Sequence, residues 1–263
     1  MANEKVTTTE RSLEILAVIK EREGASLSML ADELPLSRST IHKHLTTLAD
    51  HGFVDKEGER YSLGMKFLNF GVHARSRRVE HVLAAETVQQ LAAETEEEVD
   101  LVVENDGRGI VVHESYHPHS HYGKQISEGH GTVNTGAYYH LHSIAAGKAI
   151  LAELPDERVS SIIEKWGLPK RTRRTLTTES ALREELETIR AEGISFSDQE
   201  YADGMRAVGR RVRNPNGSLV GSISITAPAY RMTDEVYNER IPRLLTEYID
   251  ELESKIEDAY PSV

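Results

Sequence analysis

The sequence contains no cysteine, and this absence excludes several kinds of chemistry. Without thiols there can be no disulfide framework, no thiolate zinc site and no cysteine nucleophile. Long apolar runs are also lacking, since none approaches the ~20 residues of a membrane-spanning helix. The N-terminal stretch MANEKVTTTERS has no apolar core of signal-peptide length. We therefore expect a cytoplasmic protein that is stabilised by a conventional buried core.

Acidic residues outnumber basic ones: the sequence has 43 Asp and Glu but 31 Lys and Arg, which gives a net charge of −12. The imbalance is uneven along the chain. Residues 1–80 hold twelve of each sign, so the remainder carries the whole excess of acid. Such asymmetry predicts two domains with different partners. The acidic excess suits either a salt-rich cytosol or an ordinary acidic bacterial protein.

Residues 1–64 carry the signals of three short helices and a hairpin. The first helix is predicted to end at Gly24, and the second is stopped by Pro35 after a cap at Ser26 or Ser28. The third helix begins at Ser37, and Gly52 ends it. The predicted apolar faces are Leu13, Leu16, Ala17 and Ile19; Met29, Leu30, Ala31 and Leu34; and Ile41, Leu45 and Leu48.

A hairpin follows, with short strands at residues 53–56 and 60–63 around a turn that contains Gly58. Three helices and a hairpin, with a tight turn between the second and third helices, predict a winged helix-turn-helix whose third helix enters the major groove. Its exposed hydroxyls and cations suit phosphate anchoring and base contacts. The candidate DNA-binding residues are Ser37, Arg38, Ser39, Thr40, His42 and Lys43 on this helix and Arg60 on the wing.

Three segments of this region resemble the N-terminal domain of IclR-type transcriptional regulators. They are ERSLEIL, LSMLADELPLSRSTIHKHLTTLADHGFV and YSLGMKFLNFG. That family places a Tyr-x-Leu-Gly after the wing and a linker helix beyond it. The resemblance implies a winged helix-turn-helix at residues 1–64 and a linker helix at 65–80.

The remainder, residues 81–263, mixes helical and alternating patterns. Helices are predicted at 82–98, 141–154, after Pro155, at 178–191 and at 234–258. Strands are predicted at 100–104 and 109–113 around Asn105-Asp106-Gly107, near Ile194, and at 205–213 and 219–226 around Asn214-Pro215-Asn216-Gly217. This order predicts an α+β domain on an antiparallel sheet.

The same family resemblance continues here, in LHSIAAGKAILAEL and GISFSDQEYADGMRAVGRRVRNPNGSLVGSISITAP. It implies a GAF-like effector-binding domain, in which the effector lies between a loop, a helix start and the last strands. The implied effector-binding residues are Gly131, Tyr139, Ala145, Ala146, Ser197, Ala207, Ser224 and Thr226. Ser197 and Ala207 depart from the acid and the cysteine that are common at these places in the family.

Seven of the twelve histidines fall between positions 113 and 142. His113-Glu114-Ser115-Tyr116-His117 spells the zinc protease signature, but it follows a strand pattern that would place the two histidines ~13 Å apart. His117, His119 and His121 are better candidates for a metal, since alternate residues of a strand share a face. We favour a polar loop near the effector, with no metal and no other cofactor. Gly147-Lys148-Ala149 has the lysine of a P-loop but lacks its preceding glycine-rich stretch and its Ser or Thr, so nucleotide hydrolysis is not expected.

These patterns predict a DNA-binding regulator of the IclR type that is not an enzyme. Because one winged helix contacts one half-site, we expect homodimers, with tetramers as a further assembly, on a pseudo-palindromic operator of catabolic genes. The predicted effector is a small organic acid whose carboxylate points toward the helix start at Ala145, with His140 or His142 adding positive charge. The alternative is a metal-responsive regulator, or a metal-dependent enzyme, that uses the cluster from His113 to His142.

Overall fold

The computed structural model describes residues 5–118, 120 and 134–260. Contacts divide the chain into an N-terminal unit, Met1–Arg77, and a C-terminal unit, Arg78–Val263. Within the described ranges, no helix has both the length and the apolar character that crossing a membrane requires.

The N-terminal unit is a winged helix. Its helices are α1 (Thr7–Glu21), α2 (Leu27–Glu33), α3 (Arg38–Asp50) and α4 (Lys66–Ser76). Strands β2 (Val54–Glu57) and β3 (Arg60–Leu63) form the predicted hairpin. A two-residue strand that the sequence did not reveal, β1 (Ala25–Ser26), pairs with β3.

One apolar face of this unit differs from its prediction. Ile15 and Ile19 of α1 are buried, whereas Leu13 is 62% exposed and Ala17 is also exposed. Leu30, Ile41 and the other core residues of α2 and α3 pack against Ile15 and Ile19. The predicted stripe for α1 was therefore rotated, because helical spacing alone allows more than one apolar face when Leu13, Ile15, Leu16 and Val18 are all apolar.

The C-terminal unit is a six-stranded antiparallel sheet with helices on both faces. The strands are β4 (Glu98–Asn105), β5 (Arg108–Tyr116), β6 (Tyr138–Tyr139), β7 (Ser195–Asp198), β8 (Met205–Arg213) and β9 (Leu219–Pro228), in the order β6-β5-β4-β9-β8-β7. The helices are α5 (Val79–Thr95), α6 (Ala145–Glu153), α7 (Asp156–Trp166), α8 (Glu179–Glu192) and α9 (Ile241–Ala259).

Alternation along the strands divides the sheet into two faces. The first face buries Val99, Leu101, Ile223 and Ile225, among others, against α5 and α9. The second face buries Val102 and Val111 against α6, α7 and α8. Toward one end of the second face the residues become polar, and this polar area contains the candidate site described below.

Two predicted helices of this unit have different bounds in the structure, and a third contains an irregular turn. Helix α5 ends at Thr95 rather than at Glu98, because Glu96 has a left-handed backbone with φ of 58°. The predicted helix at 141–154 is two elements: a 3-10 turn, Leu141–Ser143, precedes α6, with Ile144 in an extended conformation between them. The last predicted helix contains a π-helical turn, Val236–Arg240, immediately before α9.

The turn between β4 and β5 follows its sequence signal. Asp106 and Gly107 both have positive φ values, 55° and 83°, which match the two-residue hairpin turn that Asn-Asp-Gly favours. This tight connection sets the register of β4 against β5 as far as Val102 and Val111. A register shift between Leu101 and Val102 then brings Asp100 opposite Glu114 across the two strands.

Candidate nucleic-acid interface and ligand cavity

Hydroxyl groups organise the start of α3. Ser37 caps the helix by accepting a hydrogen bond from the Thr40 backbone N–H, at 3.2 Å between N and Oγ. The Ser37 hydroxyl also lies 3.0 Å from Ser39 Oγ and 2.8 Å from Thr40 Oγ1. The three predicted hydroxyls therefore form one network at the helix start, where backbone N–H groups also favour a phosphate.

The predicted cations of the N-terminal unit differ in their contacts. His42 and Lys43 are exposed on the face of α3 opposite Ile41 and Leu45. Arg38 is exposed but donates a hydrogen bond to Ser28 Oγ of α2, at 3.0 Å. This bond ties the start of α3 to the preceding helix, so Arg38 has a structural contact that the sequence did not predict.

Arg60 of β3 also has a structural contact. Its Nη2 donates to the carbonyl oxygen of Gly24 at 2.7 Å, between α1 and β1. Guanidinium has five N–H donors, so this bond leaves others for a ligand. A further contact that sequence patterns did not indicate joins Ser12 Oγ of α1 to His44 Nδ1 of α3, at 2.7 Å.

In the C-terminal unit, strand register builds rows of mostly polar residues, here called the polar rows, across the second face of the sheet. Tyr116, Glu98, Thr226, Ala207 and Ser197 lie side by side on five successive strands. The next row along the strands is Glu114, Asp100, Ser224, Gly209 and Ser195. Residues that are far apart in sequence therefore share one surface.

A cavity of about 260 Å³ lies over these two rows. Six of the predicted effector residues line it: Tyr139, Ala145, Ser197, Ala207, Ser224 and Thr226. Ala146 is fully buried in the apolar layer beneath and is not among the lining residues. Gly131 lies outside the described residues.

The start of α6 forms one wall of this cavity, through Ile144 and Ala145. No side chain caps this helix. Two glycines allow α6 to pack closely against β8 and against the turn at Leu141. A Cβ on Gly209 would lie 2.9 Å from Ala146 N, and one on Gly147 would lie 2.2 Å from Leu141 O. The absence of side chains at these positions brings the positive end of the helix dipole against the sheet.

Lys148 fixes the position of α6 from inside the core. This residue is completely buried, and its Nζ lies 2.8 Å from Glu185 Oε1 of α8 and 2.7 Å from Glu200 Oε1. Burial raises the pKa of Glu200, while Lys148 acts in the opposite direction. The lysine of Gly147-Lys148-Ala149 is therefore a buried ion-pair partner.

Three carboxylates that the sequence analysis did not propose lie at the β5–β4 side of the polar rows. Carboxylate oxygens of Glu98, Asp100 and Glu114 all lie within 4.8 Å of one another. Burial, and then the charges of Asp100 and Glu114, raise the pKa of Glu98 well above its usual range. Burial, and then Glu114, do the same to the pKa of Asp100. Glu98 and Asp100 also line the cavity.

A sequence signal for two of these acids was present. Glu98 and Asp100 alternate directly before the β-branched run of β4, which places both on one face once the strand begins at Glu98. The prediction of a helix at 82–98 assigned Glu98 to the wrong element, so the common face of Glu98 and Asp100 was not recognised. Two carboxylates outside the predicted effector residues therefore face the cavity.

Other lining residues that sequence reasoning missed are Tyr201 and Arg206. The Tyr201 ring meets that of Tyr139 edge to face, with 5.4 Å between centroids. Arg206 Nε lies 3.0 Å from Asp198 Oδ1, and its Nη1 lies 2.8 Å from Asp234 Oδ1. The charge of this arginine is thus already balanced by two acids.

His140 and His142 do not supply the positive charge that was expected of them. Burial lowers the pKa of His140, and Arg108 and Arg171 lower it further. Burial also lowers the pKa of His142, against the effect of its 3.2 Å contact with Pro169 O. Both imidazoles are therefore disfavoured as cations near neutral pH, and neither lines the cavity.

The remaining histidine candidates gather no ligand set within the described part of the chain. His113 lies on β5 and His117 just after it, so the zinc protease signature is not helical. His119 and His121 lie outside the described residues. Among the described residues, the one group of three potential ligands is the carboxylate group above.

A larger cavity, of about 450 Å³, lies by the end of α5 and the start of α9. None of the predicted effector residues lines it. Its wall includes Arg231, which is held by Glu97 at 2.5 Å between Nε and Oε1. The hydroxyls of the polar rows and the open start of α6 meet at the smaller cavity instead.

Comparisons with known proteins agree over nearly the whole chain. The model of the IclR helix-turn-helix domain matches residues 8–58, and that of the bacterial transcriptional regulator IclR C-terminal domain matches residues 75–251. A probable HTH-type transcriptional regulator, ArcR, of Halobacterium salinarum is 32% identical and covers 97% of this chain and 95% of its own length.

Solved structures of other proteins share the fold of this chain. The IclR protein of Thermotoga maritima is 27% identical, with a TM-score of 0.74, over 95% of this chain and 99% of that one. The inducer-binding domain of the PobR transcription factor of Acinetobacter, a double mutant in complex with 3-hydroxybenzoic acid, is 25% identical. Its TM-score is 0.57, over 65% of this chain and 95% of that one.

Proposed function

The chain belongs to the IclR family of transcriptional regulators, and on this premise we propose that its cavity binds a small organic acid which alters operator affinity. A helix-turn-helix domain and a C-terminal effector domain are the parts that such a regulator requires. The proposed effector is a keto, sugar or aromatic acid, and the proposed targets are catabolic genes.

The observation that carries this proposal is the uncapped start of α6 over a row of hydroxyls. Backbone N–H groups at a helix start favour a carboxylate. Ser197, Ser224 and Thr226 of the lining offer further hydrogen bonds to oxygen atoms of a ligand. A cavity of about 260 Å³ suits a metabolite smaller than the drug-sized ligands of larger pockets.

The PobR neighbour supports the ligand class. Its inducer-binding domain was solved with 3-hydroxybenzoic acid, and this chain shares its fold at 25% identity. In our proposal, the acid group points toward Ala145 and the remainder of the molecule extends toward Tyr139 and Tyr201. Its carboxylate can share the cavity with Glu98 and Asp100 only if their charge is compensated by protons or by a cation.

On the DNA side, we propose that the α3 surface contacts the operator in the major groove. The proposed contacts are those predicted from the sequence: Ser37, Arg38, Ser39, Thr40, His42, Lys43 and Arg60. Ser37, Ser39 and Thr40 are suited to phosphate by their place at the helix start, and Lys43 by its exposure.

We propose that the chain acts as a homodimer, with tetramers as a further assembly. An exposed apolar stretch on and beside α4 supports this, because Met65, Leu68, Phe70 and Val72 are each at least 43% exposed in the N-terminal unit. Clustered exposed apolar side chains mark interaction surfaces. A dimer with twofold symmetry would match a pseudo-palindromic operator.

The proposal is tested by calorimetry and operator binding on the full chain. Pyruvate, gluconate and 3-hydroxybenzoate represent the three acid classes, and at least one should bind and change operator affinity. Sedimentation of the operator complex should show two or four chains. If none of the three acids binds, and only neutral or cationic compounds do, the assignment of the cavity is wrong.

Ser224→Val and Ser224→Thr form a matched pair for the same test, because the two new side chains have nearly the same shape. Only threonine keeps a hydroxyl. Loss of one hydrogen bond is worth about 1 kcal/mol, so valine should weaken acid binding about fivefold relative to threonine. Operator binding without the acid should be equal in both variants. Equal acid affinity in both would remove Ser224 from the site.

A further inference from the structure

The carboxylate trio, Glu98, Asp100 and Glu114, is a costly arrangement as it stands. Glu98 is 6% exposed, and its Oε2 is buried with no hydrogen-bond partner among the described residues. Asp100 Oδ1 and Glu114 Oε1 are likewise buried without a partner there. A buried polar atom that lacks a partner costs free energy, and like charges at this separation add to the cost.

No basic residue of the described chain balances this charge. Glu98, Asp100 and Glu114 take part in no ion pair among the described residues, and Arg206 across the cavity is already held by Asp198 and Asp234. Glu114 Oε2 accepts a hydrogen bond from the Asn134 backbone N–H at 2.8 Å, and the Glu114 carboxylate also hydrogen-bonds the Tyr116 hydroxyl. Strand register therefore brings one carboxylate oxygen of each residue within 4.8 Å of the others, without a counter-charge from the described residues.

We propose that Glu98, Asp100 and Glu114 bind a hard divalent cation at the floor of the cavity, and that the organic acid completes its coordination. The second half of this statement rests on the proposed function, whereas the first half does not. The trio was not anticipated from the sequence, which led us to expect no metal.

The ligand chemistry selects the kind of cation. All three donors are carboxylate oxygens, which suit Ca²⁺, Mn²⁺ and Mg²⁺ rather than softer metals. Because the three oxygens all lie within 4.8 Å of one another, small side-chain rotations would bring them to Ca–O distances of roughly 2.4 Å around one ion. Mg²⁺, with bonds near 2.1 Å, would require the strands to close further. We therefore expect Ca²⁺ and Mn²⁺ to bind more tightly than Mg²⁺.

A cation here also resolves the conflict between an acidic cavity and an acidic effector. It neutralises two of the three carboxylate charges and offers open coordination positions toward the cavity, where Glu98 and Asp100 are lining residues. An acid with a neighbouring keto or hydroxyl oxygen would chelate the cation through that oxygen and one carboxylate oxygen, and its other carboxylate oxygen would face the start of α6. Binding of the cation and of the acid would be mutually favourable, because coupling between two sites is reciprocal.

The cation site is tested first without any acid. Chelator-stripped full-length protein is titrated with Mn²⁺, and the free ion is followed by electron paramagnetic resonance. We expect one saturable Mn²⁺ per chain, at least tenfold weaker binding in Glu98→Gln and Asp100→Asn, and competition by Ca²⁺. Glu164→Gln, which removes an exposed acid from α7, should bind Mn²⁺ as the wild type does.

Three results bear directly on the site. If Mn²⁺ binding is saturable but is unchanged in both Asp100→Asn and Glu98→Gln, the assignment of the site is wrong. The assignment is also wrong if the wild type shows no saturable Mn²⁺ binding. Folding is checked by melting in chelator, where Asp100→Asn should melt no lower than the wild type because it relieves repulsion. A folded variant that has lost Mn²⁺ supports the site.

Acid binding is then measured with Mn²⁺ and with chelator, using pyruvate, gluconate and 3-hydroxybenzoate. We expect any acid that binds to do so at least tenfold more tightly with Mn²⁺. Equal affinity in both conditions would overturn the coordination of the effector but leave the proposed function intact. If Mn²⁺ binds at the trio but none of the three acids changes operator affinity, the proposed function is wrong and the cation site is still supported.

Discussion

Replacing Lys148 by methionine is expected to destabilise the C-terminal unit by about 3–5 kcal/mol, the usual cost of removing one partner from a buried ion pair. Methionine can fill much of the lysine volume, so the loss is mainly electrostatic. The two carboxylates that remain, on Glu185 and Glu200, would have no cation at the 2.8 and 2.7 Å distances seen here. The Glu200 side chain is 12% exposed, so water cannot replace the lysine fully.

The expected change in melting temperature follows from the size of this unit. For a domain of 150–250 residues, 1 kcal/mol shifts melting by about 2–4 °C, so the variant should melt ~6–20 °C lower. Because Lys148 holds α6, whose start forms a cavity wall, acid binding should weaken as well.

Differential scanning calorimetry of the full chain provides the assay, with two comparison variants. Lys165→Met removes a lysine 2.6 Å from Asp106, but that side chain is half-exposed and the pair should be worth at most about 1 kcal/mol. Adding Glu200→Gln to Lys148→Met should recover part of the loss. A loss for Lys148→Met no larger than that for Lys165→Met would refute the argument from burial.

Two further predictions concern pH and DNA. Burial and like charge raise the pKa values of Glu98 and Asp100, so in chelator the stability of the C-terminal unit should fall as pH rises above the ordinary carboxyl range near 4 and through the raised values. Asp100→Asn should lose less stability over that range, and melting curves that respond to pH identically in both proteins would contradict this. Arg38→Ala and Lys43→Ala should each weaken operator binding, and each should reduce the salt slope by about one if it contacts phosphate, with Lys20→Ala of α1 as the control. Unchanged operator affinity in both folded variants would reject docking through α3.

The sequence by itself determined the elements whose signals are local. Ser37 caps α3 as predicted, because a serine hydroxyl reaches a backbone N–H three residues on. The Asp106-Gly107 turn sets the β4–β5 hairpin, because its positive φ values suit those residues. The family resemblance, carried by motifs in both halves of the chain, also identified six residues that line one cavity.

Tertiary structure decided what depends on residues distant in sequence. Ile15 rather than Leu13 of α1 is buried, because α2 and α3 select one of several apolar faces. Lys148 became a core ion-pair partner through acids 37 and 52 positions away.

The carboxylate trio depends on the same kind of distant pairing. Glu98 joins Asp100 and Glu114 only because the left-handed Glu96 ends α5 early and strand register then aligns β4 with β5. Local sequence patterns indicate which conformation a segment prefers. The charge of the cavity depends instead on which strands pair with one another, and local patterns do not determine that.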